Sequence, residues 1–173
     1  RNTGREAIQM YWTLLVLNVF GTGFSFFSLK LGTVLLGILT IPFVYMLGKE
    51  YGNARVALFA LFLFGVASWP NIISRIGLRF PLYPLFAAPT LLFLIRGLRT
   101  QNRNDMILAG IFLGLGLHGY SPFRIVPFLV VAVFGIYLLH AGSKLNRQQA
   151  FFWFLLVIIF SLFVFSPLMR YWL

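Results

Sequence analysis

Apolar residues in this chain fall into long unbroken runs, parted by short stretches that are either polar or rich in Gly and Pro. Alternation with a period of two is missing, so the runs read as helices. The first run, Ala7–Phe20, is about 21 Å long at 1.5 Å per residue. That is short of a hydrocarbon core of roughly 30 Å. Gln9 and Thr13 sit one turn apart in it, and Tyr11-Trp12 suit a membrane interface. The run predicts an interfacial or re-entrant helix, ended at Gly21-Thr22-Gly23. Phe26–Leu47 is the clearest span; Lys30 can snorkel near its start, and Pro42 predicts a kink. Val56–Ile73 runs back, and Ser74–Pro84, with two arginines and two prolines, predicts irregular chain. Leu85–Leu98, Met106–Leu117, Ile125–Leu139 and Phe151–Leu168 complete the set. The prediction is an all-α fold: a polytopic transmembrane helical bundle of six crossings plus one interfacial helix. It is one partial domain over residues 1–173, with polar loops at 48–54, 99–105 and 140–149 on one face.

Composition makes lipid the solvent. The chain is 60% hydrophobic and only 10% charged, against about 45–50% and about 25% for a soluble domain. A chain this small could not hide that apolar surplus in a core. In lipid the backbone must satisfy itself, which leaves helices or a closed barrel, and the unbroken runs select helices. With no cysteine, a disulfide framework, a thiolate metal site and a cysteine nucleophile are excluded. The chain begins at Arg1 without a basic leader and ends at Tyr171-Trp172-Leu173 on an apolar run. It is therefore expected to be an internal segment of a longer protein.

Charge adds an asymmetry. Fourteen Lys and Arg face three Asp and Glu, a formal net +11. The basic residues punctuate apolar runs and form no polar face with aromatic platforms, which argues against nucleic acid and for anionic lipid or a lipid-linked phosphate. The polar-loop side carries Lys49, Arg55, Arg96, Arg99, Arg103, Lys144 and Arg147; the other carries Arg1, Arg5, Lys30, Arg75, Arg79, Arg124 and Arg170. With seven on each side, the positive-inside rule does not fix the orientation. The settings differ, however. On the loop side the cations sit among Asn, Gln and Ser, whereas on the other they interrupt apolar sequence with Glu6 as the one acidic neighbour.

Arg5, Arg75, Arg79, Arg124 and Arg170 are thus expected just beyond helix ends, facing one compartment. Ionisable groups at such depths line cavities or bind something. Guanidinium groups fork onto phosphate oxygens, so a phosphate or diphosphate head group fits. The plainer alternative is snorkelling to lipid phosphates. His118, in His118-Gly119-Tyr120-Ser121-Pro122, could bind metal or shuttle a proton, or simply be hydrogen-bonded at a helix end. Gly110 and Gly114 form a small-xxx-small pair, the signature of close helix packing. The sequence has no phosphate-cradling glycine loop, metal-ligand cluster or paired carboxylates.

The run Leu31-Gly32-Thr33-Val34-Leu35-Leu36-Gly37-Ile38-Leu39-Thr40-Ile41-Pro42-Phe43-Val44-Tyr45-Met46-Leu47-Gly48-Lys49-Glu50 resembles the second span of family 39-like glycosyltransferases of the C superfold. That group includes the protein mannosyltransferases and the lipid A aminoarabinose transferases. Gly4-Arg5-Glu6-Ala7-Ile8-Gln9-Met10-Tyr11-Trp12 is similar to their juxtamembrane motif, and Ser74-Arg75-Ile76-Gly77-Leu78-Arg79 and Ala109-Gly110-Ile111-Phe112-Leu113-Gly114-Leu115-Gly116-Leu117 fit the spans that follow. The order and spacing of these motifs cover nearly the whole chain.

The resemblance implies transfer of a sugar from a polyprenyl-phosphate donor to an extracytoplasmic acceptor, in a plasma membrane of bacterial type, with the arginine side outermost. It implies substrate-binding roles for Arg5, Glu6, Arg75, Arg79, His118, Tyr120 and Arg124, and leaves the cofactor unknown, a divalent metal being one option; no metal ligand is assigned. The family's catalytic carboxylate, an Asp of an Asp-Glu pair ending the first span, is expected upstream of Arg1. Two departures stand out: Ala7 replaces a Pro, and Tyr120–Arg124 replaces a Lys-containing connection. The main rival is a transporter or flippase of an anionic lipid-linked substrate, which would use the same arginines with broken helices near the midplane; a structural membrane subunit is the third reading. No internal repeat supports the transporter.

Since the chain has no native cysteine, single cysteines at Asn53, Asn102 and Asn146 are expected to react with an impermeant thiol reagent from one side of the membrane only. Reaction from opposite sides would sink the predicted topology.

Overall fold

A computed structural model describes residues 8–23, 25–139 and 147–169, the side chains of Arg147 and Met169 excepted. The described residues form eight α-helices: α1 Ile8–Phe20, α2 Phe26–Tyr51, α3 Ala54–Val66, α4 Ser68–Arg75, α5 Leu82–Thr100, α6 Arg103–Leu117, α7 Val126–Leu139 and α8 Arg147–Met169. A 3-10 turn, Ser121–Ile125, leads into α7. The all-helical membrane bundle is what the pattern predicts; the number of crossings is not.

Four helical stretches are long and apolar enough to cross a membrane: Phe26–Tyr51, Leu82–Thr100, Ser121–Leu139 and Gln148–Leu168. A bent pair, α3 with α4, makes up to five. The expectation of six is corrected at two points. The predicted span 56–73 is broken at Ala67 and bent by 56°. Pro70, which has no N–H to give, stands in the first turn of α4, where that loss is tolerated. Asn71 then covers the carbonyls freed at the elbow, its Nδ2 donating to Gly65 O at 2.6 Å and Ala67 O at 3.0 Å. The other point is α6, whose 15 residues span about 22 Å, below the roughly 20 residues a crossing needs. It is the inner helix of the bundle, packed between α5 and α8.

Helix ends follow elementary capping rules. Asn53 Oδ1 accepts from the N–H groups of Arg55 and Val56 at 3.0 and 3.1 Å, and Asn102 Oδ1 from Asn104 at 3.0 Å. Gln101 ends α5 in the left-handed region at φ 57°, so two residues turn the chain into α6. The predicted loops 48–54 and 99–105 thereby shrink to Gly52–Asn53 and Gln101–Asn102, because Lys49 and Glu50 favour helix and α2 runs on through Pro42 to Tyr51. The loop 140–149 lies outside the described residues up to position 146.

Cross-links define two ends of the bundle. At the polar-loop end, Arg99 meets Glu50 at 2.9 Å and Tyr137 Oη donates to Leu98 O at 3.3 Å. At the other, Gln9 Nε2 donates to Gly77 O at 3.0 Å. Trp12 Nε1 donates to Gly32 O at 2.9 Å and so fastens α1 to α2. The core lies around α6: Leu94, Leu98, Met106, Leu113, Phe123, Val126, Val130 and Val157 are buried there. Large exposed residues such as Phe59, Phe62, Phe128, Ile136 and Phe163 form the outer surface, as a helix bundle in lipid requires.

Gly110 and Gly114 are where α8 comes closest. A Cβ on Gly110 would lie 2.7 Å from Val157 O, and one on Gly114 would lie 2.7 Å from Ser161 O. Both obstacles are backbone and cannot swing aside. Gly114→Ala is therefore expected to lower unfolding stability in detergent by about 1–3 kcal/mol, the usual range for overpacking. Gly135→Ala, which meets nothing within 4 Å, is expected to be neutral or mildly stabilising. Equal melting curves for the two variants would show that the α6–α8 approach is not limiting.

Candidate functional site

Three of the predicted residues, Arg79, Tyr120 and Arg124, are carried by two neighbouring connections at one end of the bundle. The first runs from α4 to α5. Arg75 closes α4, and Gly77, in the left-handed region at φ +77°, turns the chain against Leu29 and Lys30 of α2. Arg79 and Phe80 follow, and their carbonyls accept from Leu82 and Tyr83 N–H, both at 3.1 Å. The second connection runs from α6 to α7. Phe123, fully buried, lies over Gly116, where a Cβ would overlap its ring, and meets Tyr83 edge-on at 5.9 Å. Tyr120 O accepts from Phe123 N–H at 2.8 Å. Tyr120 is thus mounted on a turn whose anchor is a core side chain.

The two connections meet through aromatic and cationic groups. Phe80 and Tyr120 form an edge-to-face pair at 5.1 Å and 73°. The Arg79 guanidinium lies 6.0 Å from the centroid of the Tyr120 ring, within reach of a cation–π contact. Arg124 is exposed on the turn that Phe123 anchors. Arg75 is exposed and borders a recess of ≈ 230 Å³ walled by α2, the α3–α4 elbow and the start of α5. Thr40, Asn71 and Ser74 line this recess, but their side chains already donate to Leu36 O, to the elbow carbonyls and to Asn71 O. Arg75 supplies its one charged group.

Among the described residues there are two carboxylates, Glu50 and Asp105, and both lie at the opposite end. Glu50 Oε1 is 2.9 Å from Arg99 Nη2, and Asp105 Oδ2 is 3.5 Å from Arg96 Nε. Both oxygens are buried and neither contact is aligned as a hydrogen bond, so the pairs are Coulombic. Asp105 is only six positions from Arg99 in the chain, yet the partner of Arg99 is Glu50, 49 positions away. Arg75 and Arg124 have no acidic partner among the described residues. Within those residues, the arginine end therefore presents cations and no carboxylate, whereas the loop end carries both.

His118 makes the hydrogen bond that one of its two readings expects. Its Nε2 lies 3.0 Å from Val164 O, and since a carbonyl can only accept, that nitrogen carries the proton. The ring also leans on Phe165 at 5.5 Å. One helical turn on, Pro167 removes a donor from α8, and Ser166 Oγ supplies the Phe163 carbonyl at 2.8 Å. His118 is thus a tie from α6 to a proline-weakened stretch of α8. Among the described residues no group of three His, Asp or Glu side chains is placed to hold a metal ion. Arg5 and Glu6 lie outside the described residues.

Residues 7–172 match the family model described as dolichyl-phosphate-mannose-protein mannosyltransferase. The chain belongs to this family. It is a family of membrane glycosyltransferases, so the resemblance read from the juxtamembrane motif and the span at 31–50 is confirmed at the level of family, fold and enzyme class. No curated protein and no solved structure matches the chain.

Replacing His118 by Leu removes a bond that joins two helices and leaves Val164 O one donor fewer. The expected cost is about 1 kcal/mol of unfolding stability in detergent, recovered in part by His118→Gln. A His118→Leu protein as stable as wild type would remove this role.

Proposed function

We propose that this chain forms the donor-binding part of a glycosyltransferase that takes a sugar from a polyprenyl-phosphate carrier and passes it to an acceptor on the extracytoplasmic side. The observation that carries the reading is the segregation of charge among the described residues: Arg75 and Arg124 without acidic partners at one end, and both carboxylates occupied at the other. An anion must answer these cations, and in a family of membrane glycosyltransferases the natural anion is the phosphate of the donor lipid. In this reading the arginine end faces outward from a bacterial plasma membrane, where the acceptor is reached.

The chemistry assigns the parts. An acceptor hydroxyl attacks the anomeric carbon, a new glycosidic C–O bond forms, and the bond from that carbon to the phosphate oxygen breaks with inversion. The carrier phosphate leaves with an added negative charge. Arg75, Arg79 and Arg124 stabilise it, because guanidinium groups fixed before reaction are already oriented toward the charge that develops. The acceptor's proton goes to a carboxylate. Glu50 and Asp105 are at the wrong end and held by arginines, so that base comes from outside the described residues. The α3–α4 elbow is also the type of broken helix that transporters use; membership in a transferase family favours the enzyme.

Arg75→Ala and Arg124→Ala in the full-length protein are expected to slow sugar transfer from dolichyl-phosphate mannose by roughly tenfold to over a hundredfold, as befits a lost charge-assisted contact of about 1.5–3 kcal/mol. Lysine at either position should recover only part, since an ammonium cannot fork. Arg103→Ala is the proper control, because Arg103 is exposed, whereas Arg99 supports Glu50. With protein amounts matched, equal rates for all three alanine variants would refute the arginine assignment.

A further inference from the structure

We propose that Lys30 is a second cation of the donor-phosphate site, paired with Arg75, and that it takes the extra negative charge which sugar transfer leaves on the carrier phosphate. The inference rests on the donor reading of the arginine end and adds to it a cation whose place in the sequence suggests only snorkelling.

Two constraints bring Lys30 and Arg75 together. Thr33, buried on α2, has its Oγ1 2.9 Å from Lys30 O and 2.8 Å from Ser74 O. One hydroxyl thus joins the backbone of Lys30 to that of the residue before Arg75. Beyond Arg75, the left-handed turn at Gly77 sits against the same part of α2. A Cβ on Gly77 would lie 3.5 Å from Leu29 Cβ and 3.8 Å from Lys30 Cγ. Gln9 Nε2 holds that turn through Gly77 O at 3.0 Å. Lys30 therefore lies beside a short segment, Ser74–Gly77, that carries Arg75 and is tied at both ends. Both residues are exposed, and among the described residues neither side chain has an ion pair or a hydrogen bond. Like charges held near one another repel, and an anion between them removes that cost.

The two cations differ in what they can grip. A guanidinium forks onto two oxygens, whereas an ammonium is a compact point charge on a flexible stem. The donor is a phosphodiester, whose two non-bridging oxygens share one negative charge. When the bond from the anomeric carbon to the phosphate oxygen breaks, the carrier keeps the electron pair and becomes a monoester with a third terminal oxygen. The second pKa of a phosphomonoester is about 6, so at neutral pH most of it carries a second charge. Arg75 grips two of the oxygens, and Lys30 answers the third. Lys30 therefore stabilises the leaving phosphate, and the charge that develops on the way to it, more than the donor itself.

The test is binding of two lipids to the full-length protein in phosphatidylcholine nanodiscs at neutral pH: dolichyl phosphate, a monoester, and its methyl ester, a diester with one charge. Lys30→Met keeps an unbranched stem against Gly77 and removes the charge. It is expected to weaken binding of dolichyl phosphate by about 3- to 30-fold, with a loss for the methyl diester at least about threefold smaller, because half the charge faces the missing ammonium. Lys30→Arg should keep most of the affinity. Lys49→Met, in the last turn of α2 at the opposite end, controls for the general attraction of a cationic protein to an anionic lipid and should bind both lipids as wild type does. Equal losses for the two lipids would overturn the assignment to the added charge. Unchanged binding by Lys30→Met, with binding weakened by Arg75→Ala, would return Lys30 to snorkelling and leave the donor site standing. Unchanged binding by both variants would overturn the donor reading as well. Should Lys30→Met fold poorly, Lys30→Gln carries the same comparison.

Discussion

The approach of α8 to the glycine face of α6 governs much else in this protein. Without side chains at Gly110 and Gly114, the Val157 and Ser161 backbone reaches a distance that any Cβ would forbid. In lipid, apolar side chains gain little by leaving one apolar environment for another, so contact density and small residues hold helices together. That contact sets the height at which α6 ends. His118 can then reach Val164 O, and the turn that follows lays Phe123 over Gly116. Tyr120 and Arg124 inherit their places from that turn. A packing constraint in the middle of the bundle thus becomes the placement of charged groups at its end.

The two ends are built on opposite electrostatic principles. The polar-loop end uses Asn caps, a two-residue turn and two Arg–carboxylate pairs. The Arg99 side chain is 64% exposed and Glu50 14%, so this is a pair at a wet boundary, where an ion pair is worth no more than about 1 kcal/mol. Its larger effect is to avoid leaving a nearly buried carboxylate alone. At the opposite end the chain supplies cations and, within the described residues, no anion. In the proposed reading, the charge of Arg75 and Arg124, which no described carboxylate answers, is unfavourable for the isolated protein and becomes favourable once a donor phosphate is bound. That difference is the physical content of a binding site.

Much of this was legible in the sequence because composition and run length report directly on solvent. The helical class, the small-residue pair at 110 and 114 and the cationic asymmetry all follow from local pattern. The break in the second predicted span was hidden by hydrophobic continuity from Val56 to Ile73; Pro70-Asn71, a missing donor next to a side chain able to serve two carbonyls, was the available signal. The count falls below six because one predicted span is a bent pair and the 15-residue α6 is shorter than a crossing needs. Arg99 with Glu50 and Arg79 with Tyr120 join positions 49 and 41 apart, and one-dimensional spacing does not encode such contacts. His118 lies the other way: the sequence offered a hydrogen bond among its readings, and its partner, the Val164 carbonyl inside α8, is 46 positions later.

The elbow at Ala67 bears on why the cationic end is irregular. A continuous helix satisfies its backbone internally and leaves no polar group for anything else, so a site at membrane depth needs a place where the helix stops. Here the stop is internally closed: Asn71 takes up Gly65 O and Ala67 O, and Thr33 Oγ1 donates to Ser74 O at 2.8 Å. Backbone need is met by neutral amides and hydroxyls, and arginines are not spent on carbonyls there. Had Arg75 been required to close the elbow, its guanidinium would have been saturated by the protein itself. Neutral groups for the backbone and charged groups left for a ligand is the division by which, in the proposed reading, a broken helix sits beside an anion site without consuming it.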